Sequence, residues 1–375
     1  MIVNIVKGNR IIAGIMSNYI EYNNRIAFHP GYYIKEIIDD SGLTQEDFAK
    51  RLDTTPKNLS LLIRGEQSLS VDIAKKLSRM LGTSIKYWLN LQNAYDALLA
   101  EFDNERDLEE EREILKCIGY RYFKEYYGLP NLPRRLNEQV AETRSFLRVS
   151  SLTVLKKYDM VANFRRSVME TNEASKIKAN TMVQIAVNEA IEADAPPFDM
   201  KEFEKAVDYA LTLTDHHNDF YKLIYDAFLK AGVIFIVLKN IPGSKINGAT
   251  KKIGNSIMLM VNDRGSYADS FWFTLFHEIG HVMAGDFGVS FEADKGTKEK
   301  AADSYARDKL IPAEEYKRFR QTGEYSAKAV IRFANQIGRD PGIVVGRIFN
   351  DKKDYSNTEL NALRSKYRVV SSRDH

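Results

Sequence analysis

Two histidines four residues apart, with a glutamate directly after the first, stand in the run His277-Glu278-Ile279-Gly280-His281. On a helix that spacing sets both imidazoles on one face, one turn apart, where they can grip a single ion. The surrounding stretch SYADSFWFTLFHEIGHVMAG predicts one long helix. Gly280 costs such a helix roughly 1 kcal/mol against alanine, which points to close packing beside the ion. Glu278 stands where a carboxylate can take a proton from water and hand it to a leaving amine. An ion held there lowers the pKa of water to about 7 and polarises a scissile carbonyl. The chemistry is therefore that of a metal-dependent peptidase, with zinc as the default ion.

Two histidines do not complete such a site, because catalytic zinc usually has three protein ligands. The third is expected on the next helix, EKAADSYARDKL, which Pro312 stops. Glu299 is the candidate, with Glu292 and Asp294 in the intervening loop as alternatives. Asp303 shares a face with Glu299 and is placed to orient a ligand histidine. His216 and His217 are adjacent, so their rings diverge on a helix and read as exposed or core side chains. His29 and His375 belong to no constellation.

A different signal lies near the N-terminus. TQEDFAKRLD, TTPK and NLSLLIRGE have the length and pattern of a helix-turn-helix. Thr44 caps the first helix with Asp47 three residues on, close to a capping box. Phe48, Ala49 and Leu52 face inward on that helix, and Leu59, Leu62 and Ile63 on the second. The exposed positions of the second are then Thr55, Lys57, Asn58, Ser60 and Arg64, residue types that can read base edges. Gln45, opening the first helix, is placed to bond phosphate. Residues 44–86 hold eight bases and five acids. That small excess is weak electrostatics for a lone monomer, so a homodimer on a double-stranded DNA operator is expected.

With 375 residues the chain has room for two or three domains. Net charge is +3, which excludes a polycation and makes any nucleic-acid surface a local patch. The expected organisation is an N-terminal arm of extended chain or short strands (1–27), the DNA-binding domain (28–100), a helical middle (101–200), a metallopeptidase domain (201–350) and a polar, fraying tail (351–375). Residues 101–113, with eight acids and two bases, read as a solvated helix face or linker and mark the first boundary. Basic residues concentrated between Arg121 and Arg166 read as another solvated face. VIFIVL (233–238) predicts a buried strand, followed by shorter ones. The fold class is mainly α and multidomain, with an α+β C-terminal part. The single cysteine, Cys117, forbids an intrachain disulfide, is expected to be buried, and fits a reducing cytoplasm. No apolar run approaches eighteen residues, so no membrane span is expected.

Two resemblances sharpen these expectations. HPGYYIKEIIDDSGLTQEDFAKRLDTTPKNLSLLIRGEQSLS, continuing through MLGTSIKYWLNLQ, resembles the HigA-type antitoxins of the Cro/repressor (XRE) class over nearly all of residues 28–97. Asp53 stands where that class commonly has a turn glycine, and aspartate tolerates the left-handed conformation. FWFTLFHEIGH, then Glu299 to Ala306 running on to LIP, resembles the ImmA/IrrE metallopeptidases over about residues 200–350. That second resemblance implies a gluzincin-like domain with a small sheet. It implies His277, His281 and Glu299 as ligands to zinc or manganese, Glu278 as the catalytic residue, and a regulatory protein as substrate. Members often carry a further acid where this chain has Ala301, which leaves Glu299 the candidate in register. The expected function is a DNA-binding, antitoxin-like regulator fused to a metallo-endopeptidase that cleaves a regulator, a toxin partner or the chain itself. The alternative is a HigA-like antitoxin or repressor whose metal domain is sensory or structural, and a third reading is a peptidase that its DNA module merely targets.

Overall fold

The computed structural model describes residues 18–22, 25–157, 172–291 and 296–369. They divide into two compact units, 1–109 and 110–375. Residues 1–17 of the expected arm, the alternatives Glu292 and Asp294, His375 and part of the basic stretch lie outside the described residues.

The first unit opens with an antiparallel hairpin, β1 (Tyr19–Tyr22) and β2 (Arg25–Phe28). Then come α1 (Pro30–Ser41), α2 (Gln45–Arg51), α3 (Pro56–Ile63) and α4 (Val71–Leu81). The helices are short because each boundary is written in the sequence. Thr44, Thr55 and Ser70 each accept a backbone N–H in the first turn of the helix they precede. Phe48, Ala49, Leu52, Leu59, Leu62 and Ile63 meet in one core with Ile34, Leu77 and Trp88. Gly31 lets α1 and α3 touch: a Cβ there would lie 1.9 Å from the Leu62 carbonyl oxygen. His29, without an assigned role in the sequence, is buried and caps α1 by accepting the Gly31 N–H at Nδ1, 3.0 Å away.

α5 (Ile85–Ile118) is 34 residues long, and the division between the units falls inside it. The acid-rich stretch is thus continuous helix rather than a linker, since neither glycine nor proline interrupts residues 85–118. Glu111 is buried within the second unit, where it accepts from Ser151 Oγ at 3.0 Å and pairs with Arg144 at 3.1 Å.

The second unit continues with α6 (Tyr120–Tyr126), α7 (Leu136–Leu147), a 3-10 turn (Leu152–Lys156), α8 (Glu173–Glu192), α9 (Met200–Leu211) and α10 (Phe220–Lys230). Its sheet is built from β3 (Val233–Leu238), β4 (Ile246–Ile253), β5 (Ser256–Asn262) and β6 (Gly288–Phe291), in the order β3-β5-β4-β6. β3 and β5 are parallel and the other pairs antiparallel. Between β5 and β6 runs α11 (Ala268–Met283). After β6 come α12 (Thr297–Leu310), α13 (Ala313–Gln321), α14 (Ala327–Ile337), α15 (Pro341–Lys352) and α16 (Thr358–Asn361). α8 packs on β3, β4 and β5, so the expected middle region shares one unit with the sheet. Its basic side chains form ion pairs: Arg121 with Glu125, Arg135 with Glu138, and Lys156 with Glu110 and Glu173.

α11 is the centre of this unit. Trp272, Leu275, Phe276 and Ile279 are fully buried in a core shared with α9, α10, β3, β5 and α15. The polar tail does not fray along residues 358–369. Leu360 is buried, the Arg364 guanidinium pairs bidentately with Asp269 at 3.1 and 2.8 Å, and the Tyr367 ring stacks on Phe220. Tyr367 also meets His217 Nδ1 at 2.8 Å, which gives that histidine a structural part. Cys117 is half-buried rather than buried. No helix among the described residues is long and apolar enough to cross a membrane.

Candidate metal centre and DNA-reading helix

α11 and α12 pack closely because Gly280 has no side chain. A Cβ there would sit 3.2 Å from Ala302 Cα and 3.2 Å from the Tyr305 ring. That approach brings the first turn of α12 up to the histidines. His277 Nε2 lies 2.9 Å from Glu299 Oε2 and 3.1 Å from His281 Nε2. His281 Nε2 lies 3.3 Å from Glu299 Oε1. All three residues are buried. Among the described residues this is the one group of three or more histidine, cysteine or acidic side chains that could hold an ion, with ligand atoms within 4.8 Å of one another.

The far side of each ring is occupied too. Asp303 Oδ1 lies 2.8 Å from His277 Nδ1. A proton on Nδ1 donated to that carboxylate leaves the Nε2 lone pair facing Glu299. Asp286 Oδ2 stands 3.6 Å from His281 Nδ1, an ion-pair separation rather than a hydrogen bond. Asp286 also pairs with Lys298 at 2.7 Å. Sequence reasoning missed Asp286. Its signal is an acid just past the helix end, where the Ala284-Gly285 turn folds the chain back on itself.

This arrangement passes a test of fit for a divalent ion. Ligands about 2.0–2.2 Å from a tetrahedral centre stand roughly 3.3–3.6 Å apart; the two imidazole nitrogens at 3.1 Å and His281 Nε2 with Glu299 Oε1 at 3.3 Å approach that spacing, and His277 Nε2 with Glu299 Oε2 at 2.9 Å is shorter. Two imidazole nitrogens and one carboxylate oxygen form a donor set that zinc accepts, and manganese tolerates it.

The Glu278 side chain reaches the sheet at β4. It has no exposed surface. Its carboxylate lies against Gly248 of β4, where an added Cβ would sit 2.5 Å from Glu278 Cγ and Oε1. Gly248 follows an irregularity in the β4–β6 register. INGAT therefore does more than form a strand: its glycine makes room for the glutamate.

In the first unit, Lys57 and Asn58 are exposed in the first turn of α3, and Gln45 is exposed at the start of α2. Thr55 is exposed but serves as the α3 cap, accepting the Asn58 N–H at 3.1 Å. Ser60 is half-buried, and Arg64 closes the other end of α3, bonded to Glu66 at 2.8 and 3.0 Å and to Ser60. The expected DNA-contact set thus separates into a free N-terminal pair and a tied C-terminal pair. Asp53 takes the left-handed conformation at φ 52°, and Lys76 holds its carbonyl at 2.7 Å.

Residues 34–88 match the helix-turn-helix family model HTH_3. The "Uncharacterized HTH-type transcriptional regulator YddM" of Escherichia coli (strain K12) is 35% identical over 86 residues, 23% of this chain and 89% of that protein. "Virulence-associated protein I" of Dichelobacter nodosus is 33% identical over 84 residues, 22% of this chain and 78% of that protein. A Pseudomonas aeruginosa protein solved in complex with its operator DNA is 27% identical and covers 23% of this chain and 90% of its own, but its TM-score of 0.21 lends no weight to a functional reading.

Proposed function

The chain belongs to the helix-turn-helix family through residues 34–88, and from that premise we propose a DNA-binding, antitoxin-like regulator that also carries a metal-dependent endopeptidase. In this reading α3 enters the major groove of an operator, with Lys57 and Asn58 at the base edges and Gln45 on a phosphate. A homodimer on two half-sites supplies the affinity that a local excess of three positive charges does not. The second unit is read as a gluzincin-like, ImmA/IrrE-type domain whose substrate is a regulatory protein, a toxin partner or the chain itself.

One observation carries the peptidase reading: His277, His281 and Glu299 converge from two helices, with Glu278 sealed beside them. Zinc held by those three residues would acidify water to a pKa of about 7 and polarise the scissile carbonyl. The chain's own residues do the rest. Asp303 fixes the His277 ring and its tautomer. Glu278 takes the proton of the attacking water on a carboxylate oxygen and returns it to the leaving amine nitrogen. Gly248 sets where that oxygen stands.

The sealing of Glu278 also favours a second reading. A carboxylate without exposed surface suits a repressor or antitoxin whose metal domain senses or stabilises and does not cut. Glu278→Gln separates the two. The peptidase reading expects a variant that keeps its metal and loses cleavage. Unchanged repression and unchanged response to inducing conditions would favour the second reading.

A further inference from the structure

Beside the candidate metal centre lies a cleft of about 300 Å³ between α11, α12 and α15. It begins one turn from His277 on α11 and two turns from Glu299 on α12. Phe273 lines it one turn before His277, and Arg307 lines it one turn after Asp303. Its apolar walls include Leu310, Ile311 and Ile343. Its charges are unequal. Arg364 is neutralised by Asp269 at 2.8 Å, and Arg347 by Asp351 at 3.2 Å. Arg307 bonds only the neutral Ser304 hydroxyl, at 2.8 Å, and pairs with no acid among the described residues. The cleft therefore presents apolar walls and one uncompensated guanidinium.

We propose that this cleft is the specificity pocket of the peptidase and that Arg307 holds an acidic side chain of the substrate. The inference rests on the peptidase reading above and names the substrate class of that same site. Apolar walls suit the methylene stem of such a side chain, and the planar guanidinium suits its carboxylate. Spacing fixes the position as well. Eight residues separate Arg307 from Glu299, which displaces the guanidinium's anchor by roughly 12 Å along α12. An extended peptide advances about 3.3 Å per residue. The acid therefore stands about three to four residues from the scissile bond.

The test incubates the zinc-loaded full chain with a degenerate peptide library and reads the cut sites by mass spectrometry, for wild type, Arg307→Gln and Arg307→Glu. Wild type is expected to select glutamate or aspartate at one fixed position by about 10- to 100-fold, the worth of a charged hydrogen bond. Arg307→Gln should lose that selection, and Arg307→Glu should select lysine or arginine there instead. Cleavage without acidic selection, or acidic selection that survives Arg307→Glu, overturns the proposal. If no variant cuts any peptide, the peptidase reading falls. The pocket is then judged by retention of the same library on the immobilised chain. Acidic peptides retained by wild type and released by Arg307→Glu sustain it, and equal retention overturns it.

Discussion

Replacing Gly248 with alanine puts a methyl group where the Glu278 carboxylate now lies. The added Cβ would stand 2.5 Å from Cγ and Oε1 and 2.6 Å from Cδ, whereas ordinary contact begins at 3.4 Å. The carboxylate must retreat by the difference, about 0.9 Å, or the strand must move by as much. Glu278 has no exposed surface, so it has no solvent to swing into. A misplacement of about 1 Å in a reacting group costs roughly 10²-fold in rate, equivalent to about 2.7 kcal/mol in the barrier. Overpacking costs stability by about 1–3 kcal/mol, partly offset by the smaller chain entropy of alanine. The ligands stand on α11 and α12 and keep their geometry, so metal content should not change. The assay compares kcat/KM on a cleaved peptide, metal content and a denaturant titration for wild type and Gly248→Ala. Loss of rate with metal and fold retained is expected. Wild-type rate would refute the placement of Glu278 against β4, and with it the assignment of this carboxylate as the proton carrier.

Three further outcomes are expected. Burial holds His29 below its ordinary pKa of 6.5, with Asp96 opposing more weakly, so the unfolded chain takes the proton first as pH falls. The first unit should have this stabilisation in full above pH 6.5 and lose it as pH falls through the folded value; a flat pH profile, or one unaltered in His29→Asn, contradicts that. Lys57→Ala with Asn58→Ala should weaken operator binding by roughly 1–3 kcal/mol per base contact without lowering thermal stability, since both side chains are exposed, and a gel-shift titration decides it. Asp269→Asn leaves the buried Arg364 charge unpaired and should destabilise the second unit by about 3–5 kcal/mol in a denaturant titration, whereas a change under about 1 kcal/mol would mean the pair is structurally idle.

The parts legible in the sequence are those whose signals are local. The cap at Thr44 and the apolar spacing of Phe48, Leu52, Leu59 and Leu62 state the small helices directly, whereas Thr55, read as a base contact, is the cap of α3. The i, i+4 spacing of His277 and His281 and of Glu299 and Asp303 states which faces meet, because both helices are stiff rulers. What escaped depends on long-range partners. The buried ends of Glu111 and Arg364 answer side chains 33 and 95 residues away. Nothing within the acid-rich stretch or the polar tail marks those partners, so the first read as a solvated helix face or linker and the second as fraying. β6 escaped because four residues, Gly288–Phe291, pair only through the β4 edge. Gly248 is readable as a strand glycine, but only packing shows that Glu278 fills the space.

Metal content of the purified full chain, wild type beside His277→Ala, tests the central claim most directly. Wild type supplied with zinc or manganese should carry about one ion per chain, and the variant, short of one of three ligands, should lose it. An absence of bound metal in wild type, or equal metal in both proteins, would contradict the site built here from α11 and α12.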